Sequence, residues 1–302
     1  MKQVNLGIWK YSSLLPKLAG TYRLTLGEGS TALIKKQGIY FKCEFNNPTG
    51  SVKDRGVCYQ LAKVKESGKS YAVISSSGNA AISASYYCKL HQIKLTACVS
   101  RNLNPSKLAA IDRNTEVLKS NRPLSHAIRI SRERRIPNLR PSKDPFGSVG
   151  YRTLSLELYE DLPQVDAVFI PMSSGATLRG IFEGFLRIPH RTPAIHAVQT
   201  TLVNPLARRF DSDFRLEKKS LADAIVAKFT PLEDEIAGII KKTKGFAWVI
   251  SNKEMRACQQ KLKKLNLICS YEGAAALAAL IKARKRGFNY QNPVVVLSGK
   301  KY

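Results

Sequence analysis

The sequence predicts an α/β protein in which mostly parallel, twisted sheets are flanked by helices. Short apolar runs, among them 71–74, 167–171 and 294–297, alternate with longer stretches of helical periodicity. Strands that alternate with helices form right-handed crossover units and therefore a largely parallel sheet. Several of these runs end in loops of small polar residues, and ligands of such folds bind where the strands end.

The first half of the chain contains a helix whose start and end are both marked. Val57, Leu61 and Val64 recur at helical spacing, and Gly68 stops the pattern. Ser51, followed by Asp54 three residues later, predicts a capping box at the start. Besides this helix at 51–67, we expect strands at 39–43, 71–74, 95–99 and 115–118, and helices at 80–91, 123–135 and 151–160.

The second half continues the alternation and includes the larger part of one domain. A loop rich in Pro, Ser and Gly at 137–150 indicates a domain crossing. We predict a larger domain of residues 1–40 and 147–302 and a smaller domain of residues 41–146. Within 151–302 we expect strands at 167–171, 194–198, 246–250 and 293–297. We expect helices at 231–244, 252–264 and 273–286, and a further helix that opens at 173–180 and ends at 186.

The composition excludes several classes of protein. With 302 residues, 44% of them apolar, the chain resembles ordinary globular proteins. No window holds the ~18 uninterrupted apolar residues of a membrane helix, and residues 1–11 lack the apolar core of a signal peptide. We therefore expect a cytoplasmic protein with no membrane partner. The six cysteines form no C-x-x-C pair and only four histidines are present, so we expect no metal.

The net charge of +27 is the one unusual bulk property. Such a charge can indicate nucleic-acid binding, but the basic residues are spread along the chain and no nucleic-acid motif accompanies them. We therefore predict no specific nucleic-acid partner. A general positive field would help to draw in an anionic small molecule.

Lys53 is placed where a lysine is electrostatically disfavoured. The predicted helix begins beside it, and the positive end of the helix dipole opposes an ammonium group. A lysine held neutral is a nucleophile that can form a Schiff base with an aldehyde. The alternative is a surface lysine paired with Asp54.

Two loops of small residues each lie between a predicted strand and helix. Ser75 to Asn79 places hydroxyl and backbone N–H groups at a helix N-terminus, which suits a substrate carboxylate. The small residues of Ser173 to Gly180 predict a phosphate-binding loop, or phosphate cradle, although the segment matches neither the dinucleotide fingerprint nor the P-loop spacing. An ordinary turn between strand and helix is the alternative in both places.

Six segments in the same order resemble the motifs of one family. Gly27 to Leu33 is similar to G-E-G-x-T-P-L, and Asn47 to Gly56 to N-P-T-G-S-F-K-D-R-G. Ser76 to Ala80 matches S-S-G-N-A, and the remaining segments are 150–153 (G-Y-x-T), 173–180 (G-x-G-G-T-L-x-G) and 273–280 (G-A-A-A-L-A-A-L). The chain thus resembles the fold-type-II pyridoxal-phosphate enzymes, the tryptophan synthase β-like group, and most closely its threonine synthase branch.

The resemblance implies the cofactor, pyridoxal 5'-phosphate, and a role for each motif. Lys53 would be the catalytic residue, forming the Schiff base and then moving the α-proton of the substrate. The cofactor-binding residues would be Lys53, Asn79, Ser174, Gly175, Ala176, Thr177 and Ser298, and the substrate-binding residues Thr31, Ser76, Ser77 and Gly78. The larger domain would then bind the cofactor, and the smaller one would carry the lysine and the substrate-carboxylate loop.

The resemblance also implies a reaction. Ser298 would face the pyridine nitrogen, and a hydroxyl there favours elimination and replacement at the β-carbon. We predict a lyase of threonine biosynthesis, a threonine synthase that converts O-phosphohomoserine and water to threonine and phosphate. The substrate would be an anionic amino acid, and the family is commonly dimeric, which suggests a homodimer.

Four departures from the family motifs keep other readings open. Ala32 replaces a proline, Ser173 and Ala176 replace glycines, 270–272 replaces Glu-Pro-Ser, and 298–302 lacks the family's continuing tail. Val52 also fits a cysteine synthase, which carries out β-replacement, and a threonine or serine dehydratase is a further alternative. A non-enzymatic alternative is a catalytically weak homologue that binds the cofactor and carries a basic interaction surface.

Overall fold

The computed structural model describes residues 6–302 and confirms the α/β class. Residues 1–5, which begin the predicted larger domain and the segment without a signal-peptide core, lie outside that range. The helices are α1 (Lys53–Glu66), α2 (Asn79–Leu90), α3 (Pro105–Ala109), α4 (Pro123–Arg134), α5 (Arg152–Asp161), α6 (Ala176–Phe185), α7 (Glu233–Lys242), α8 (Asn252–Lys264) and α9 (Tyr271–Lys285). The strands are β1 (Leu33–Lys36), β2 (Ile39–Lys42), β3 (Tyr71–Ser76), β4 (Lys94–Ser100), β5 (Glu116–Ser120), β6 (Ala167–Pro171), β7 (Ala194–Thr200), β8 (Ala247–Ile250) and β9 (Pro293–Val296).

The chain divides into two compact units. Unit 1 comprises the described residues up to Ser30, together with 47–153 and Tyr302, and unit 2 comprises 31–46 and 154–301. The cuts lie six or seven residues beyond the predicted borders, and the segment before Ser30 groups with the lysine helix instead of with the larger predicted domain. The reason is packing, because Ile8 and Trp9 are buried in the same apolar cluster as Tyr59 of α1.

Unit 1 is built on a parallel sheet in the order β3-β4-β5. Side chains alternate between the two faces of a strand. Accordingly, Ile74 and Ala97 lie in the cluster that holds α1 and α2, whereas Val73 and Cys98 pack beneath α4. The sheet therefore has helices on both faces, as predicted.

Unit 2 is built on a six-stranded sheet in the order β1-β2-β9-β6-β7-β8. All neighbouring pairs are parallel except β1 with β2. The small residues 274–276 of α9 pack in one cluster with Phe169 of β6 and Val295 of β9. Ser251 and Glu254 form a capping box at the start of α8, which fixes the predicted beginning of that helix.

Three further predictions can be compared with the described residues. No helix within 6–302 has the length and apolar character that crossing a bilayer requires. The same residues contain no cluster of His, Cys, Asp and Glu that could hold a metal ion. All six cysteines are buried free thiols.

Candidate active site

The lysine loop of unit 1 leads directly into α1, whose first residue is Lys53. The predicted capping box is wrong, because Val52 occupies the N-cap position in a helical conformation and makes no side-chain capping bond. The Asp54 carboxylate instead turns back to the loop and accepts hydrogen bonds from the Thr49 amide at 2.7 Å and the Thr49 hydroxyl at 2.5 Å. These bonds fix the loop before the lysine.

Asp54 is completely buried beside the lysine. Burial raises the pKa of its carboxyl to about 6, and the hydrogen bonds from Thr49 lower it only in part. The helix α1 packs against α2 in the apolar cluster of unit 1. Lys53 and Asn79 are the first residues of these two packed helices.

The segment 150–153 packs across the first turn of α1. The Lys53 ammonium lies 5.5 Å from the centroid of the buried Tyr151 ring, within the range of a cation–π contact. A Cβ atom on Gly56 would lie 2.5 Å from Cζ of Tyr151, and one on Gly150 would lie 1.8 Å from the carbonyl oxygen of Arg55. Both glycines are therefore required for this ring to reach the lysine.

The predicted substrate-carboxylate loop connects β3 to α2. The Ser76 hydroxyl accepts hydrogen bonds from the amides of Gly78 at 3.0 Å and Ala81 at 3.1 Å, which hold the loop against the helix start. Gly78 has φ +130°, a conformation that other residues rarely adopt. Ser77 completes the loop and is half-buried.

Lys107 of α3 covers this loop and was missed in the sequence. Only 4% of its surface is exposed, and its Cδ atom would lie 2.5 Å from a Cβ on Gly78. Its ammonium is 5.8 Å from the centroid of the Tyr302 ring, and the Tyr302 hydroxyl donates to the Thr49 carbonyl at 3.4 Å. Lys107 and Tyr302 thus connect the carboxylate loop with the lysine loop.

The predicted phosphate cradle lies in unit 2 between β6 and α6. Gly175 is the N-cap residue of α6 with φ +91°, and Ala176 and Thr177 form the first turn. The first four N–H groups of a helix have no intrahelical acceptor, so this turn offers donors to an anion. Thr230 donates to the carbonyl of Ser174 at 2.6 Å, which braces the loop from behind.

Ser298 lies near the same loop because their strands are neighbours. β6 and β9 pair in parallel, so the residues after their carboxyl ends emerge at one edge of the sheet. Ser298 follows β9, and the Ser270 amide donates to the carbonyl of the adjacent Gly299 at 2.8 Å. The Ser270 hydroxyl oxygen is buried without a hydrogen-bond partner among residues 6–302. It is a second polar group at this edge that the motifs did not indicate.

Thr31 of unit 2 has a different environment from the other predicted residues. Its hydroxyl donates to the buried Glu44 carboxylate at 2.6 Å, and its carbonyl accepts from the Lys42 ammonium at 2.7 Å. Lys42 in turn pairs with Glu157 at 2.9 Å. The Thr31 hydroxyl therefore takes part in a buried ionic network, and its binding of substrate stays a prediction.

Comparison with known proteins identifies the family. The model of a family described as pyridoxal-phosphate dependent enzymes matches residues 24–299. The chain belongs to this family. A threonine synthase of Halalkalibacterium halodurans is 33% identical over 190 residues, which cover 58% of this chain and 54% of that protein. The match therefore spans only about half of that relative.

Two further relatives of this pyridoxal-phosphate dependent enzyme have different names. An L-threonine ammonia-lyase of Geobacter sulfurreducens is 26% identical over 283 residues, covering 86% of this chain and 66% of that protein. The structure of maize serine racemase superposes with a TM-score of 0.79 at 20% identity, over 90% of this chain and 88% of that one. The second likeness confirms the predicted fold.

The residues present fit pyridoxal phosphate, the cofactor of the family. The side-chain oxygen of Asn79 is buried and has no hydrogen-bond partner among the described residues. Buried polar atoms are almost always paired, so this amide is suited to a polar group that the protein alone does not supply. The first turn of α6 likewise offers amide donors for a phosphate.

Proposed function

We propose that the protein is a threonine synthase, which converts O-phosphohomoserine and water to threonine and phosphate. The observation that carries the proposal is the 33% identity with a threonine synthase, together with a lysine that begins α1 at the position of the family motif. In the reaction the C–O bond at the γ-carbon breaks, phosphate leaves, and water adds at the β-carbon.

Bound pyridoxal phosphate supplies the electron sink that makes a proton on the substrate α-carbon acidic. In our proposal Nζ of Lys53 would hold the cofactor until the substrate amine takes its place, and the freed amine would then take and return that proton. The Tyr151 ring, packed across the first turn of α1, limits the directions in which the ammonium can point. The Asp54 carboxylate keeps the preceding loop in place through Thr49.

The remaining residues bind and orient. Asn79 would hydrogen-bond the cofactor ring, Ser298 would face its nitrogen, and the amides of 174–177 would hold its phosphate. The loop of Ser76, Ser77 and Gly78 would bind the substrate carboxylate. The buried ammonium of Lys107 beside Gly78 favours a substrate with a further negative charge, because a cation there raises the local positive potential.

A second candidate function is threonine or serine ammonia-lyase activity. It is favoured by the threonine ammonia-lyase relative, whose alignment covers 86% of this chain against 58% for the threonine synthase. That reaction would use an uncharged side chain and would have no phosphate to release.

The test supplies each substrate separately to the purified holoenzyme. Equal amounts of threonine and phosphate formed from O-phosphohomoserine, with Lys53→Ala inactive, would support the proposal. Formation of 2-oxo acid and ammonia from threonine or serine, without turnover of O-phosphohomoserine, would replace it by the second function. Cysteine formed from an activated serine and sulfide would contradict both.

A further inference from the structure

A cleft opens in unit 2 at the end of the sheet where the parallel strands begin, away from the phosphate cradle and Ser298. Its volume is about 330 Å³, and it is lined by the segments that precede β6, β7 and β9 and follow α7. The phosphate cradle and Ser298 instead follow the carboxyl ends of β6 and β9. Since these strands are parallel, the two sites lie at opposite edges of one sheet.

Two cations from separate turns line the cleft. Arg191 lies before β7 and Lys244 after α7, and the side chains of both are exposed. Neither residue forms an ion pair within 6–302. A guanidinium and an ammonium at one cleft suit an oxyanion, because both groups make charge-assisted hydrogen bonds.

The single carboxylate of the cleft is already engaged. Asp166 accepts the amides of Gln291 at 2.6 Å and Asn292 at 3.1 Å, one on each oxygen. These bonds hold the turn before β9 and partly compensate its negative charge. The remaining positive charge makes the cleft a site for anions.

Tyr290 adds a hydroxyl donor whose direction can be deduced. Nδ1 of His196 accepts from the amide of Phe246 and from Nε1 of Trp248, both at 3.1 Å, and neither donor can accept. Burial lowers the pKa of His196 to about 3, so the ring is neutral and its one hydrogen is on Nε2. Nε2 then donates to the Tyr290 oxygen at 2.8 Å, and the Tyr290 hydrogen must be directed elsewhere.

We propose that this cleft binds the phosphate group of a small molecule, held by Arg191, Lys244 and the Tyr290 hydroxyl. The volume exceeds that of a single oxyanion, so a small phosphorylated metabolite can fit with its phosphate at the cations. The His196 network behind Tyr290 fixes the hydroxyl before the ligand arrives, which reduces the entropic cost of binding. The site is separate from the cofactor cradle and does not depend on the proposed reaction.

Calorimetric titration of the holoenzyme tests the proposal, since the cofactor then occupies the other phosphate site. Inorganic phosphate and glycerol 3-phosphate are titrated separately, and tighter binding of the ester would indicate a metabolite while tighter binding of phosphate would indicate the free anion. Arg191→Gln and Lys244→Gln are each expected to weaken binding about tenfold, as expected for a lost charged hydrogen bond. Lys241→Gln, an exposed lysine of α7 that does not line the cleft, is the matched control.

Hydrogen exchange gives a readout of the location. Phosphate is expected to slow exchange in peptides covering 189–194 and 243–245 of the wild-type holoenzyme but not of the Arg191→Gln/Lys244→Gln variant. The proposal is overturned by the absence of saturable binding up to about 10 mM ligand, far weaker than a metabolite site needs. Binding that the double variant retains in full would equally overturn it.

Discussion

The buried carboxyl of Asp54 gives the stability of unit 1 a defined pH dependence. The residue adjoins the proposed catalytic lysine, is fully buried, and accepts two hydrogen bonds from Thr49. Asp54→Asn removes the titrating group. Its amide oxygen can still accept from the Thr49 amide, and the Thr49 hydroxyl can rotate to accept from the new NH₂ group.

The magnitude follows from the two pKa values of the carboxyl. Burial raises the pKa from 3.8 to about 6, a difference of about two, and each pKa unit corresponds to about 1.4 kcal/mol. Because the folded protein holds the proton more tightly, this contribution is fully present below about pH 4 and is lost as the pH rises through 6. The free energy of unfolding of the wild type should therefore fall by about 3 kcal/mol relative to Asp54→Asn between about pH 3 and pH 7.

Urea unfolding at a series of pH values measures this difference. Trp9 is buried in unit 1, and the only other tryptophan is Trp248 of unit 2, so a Trp248→Phe background reports on unit 1. Asn102→Ser, at an exposed residue of unit 1 without an ionisable group, is the control and should give a constant difference. His91, whose pKa is lowered to about 4, titrates in the opposite sense in both proteins and cancels. A constant difference for Asp54→Asn, or one of opposite slope, would refute the reasoning.

Three further predictions concern the candidate site. Gly78→Ala should lower the free energy of unfolding by about 3 kcal/mol or more, because the new methyl group overlaps Lys107 and the residue has a positive φ. Gly68→Ala, which also has a positive φ but no neighbouring atoms, is the control and should lower it by about 1 kcal/mol. Equal losses in urea unfolding would contradict the packing of Lys107 on Gly78. Lys107→Met keeps the apolar part of the side chain but removes its charge, and it should raise KM for O-phosphohomoserine about tenfold. The control is Lys119→Met at an exposed position, and an unchanged KM in Lys107→Met would contradict the prediction. The free energy of unfolding should be about 3 kcal/mol higher with the cofactor at ~100 times its Kd than after the cofactor has been removed. In Lys53→Ala at the same cofactor concentration, this difference should be much smaller.

Periodicity was sufficient for most of the fold. Buried strands such as β6 and β9 are continuous apolar runs, and α8 begins at a capping box, so both features can be read locally. β1 was not predicted because it is short and ends in two exposed lysines, and it forms only through pairing with β2. The capping box at Ser51 was wrong because Asp54 is buried, and a buried carboxylate turns to the nearest donors, those of Thr49.

The candidate site could be predicted only as far as its motifs extend. Lys53, Asn79 and the 174–177 loop each follow from short contiguous patterns. Lys107 lies in no motif, and it reaches Gly78 from a segment about 30 residues away along the sequence. Tyr151 belongs to the motif at 150–153, but its contact with Lys53, about 100 residues away, could not be found from the motif alone. Nor does a local pattern reveal the buried, unpaired oxygens of Asn79 and Ser270, which depend on what packs around them.

The most direct test of the central claim is to identify the lysine that holds the cofactor. Borohydride reduction of the holoenzyme, followed by proteolysis and mass spectrometry, fixes the cofactor on the residue to which it is joined. We expect the label on Lys53, its loss in Lys53→Ala, and its retention in Lys63→Ala, a matched lysine of the same helix. A label on another lysine, or an unchanged label in Lys53→Ala, would contradict the account.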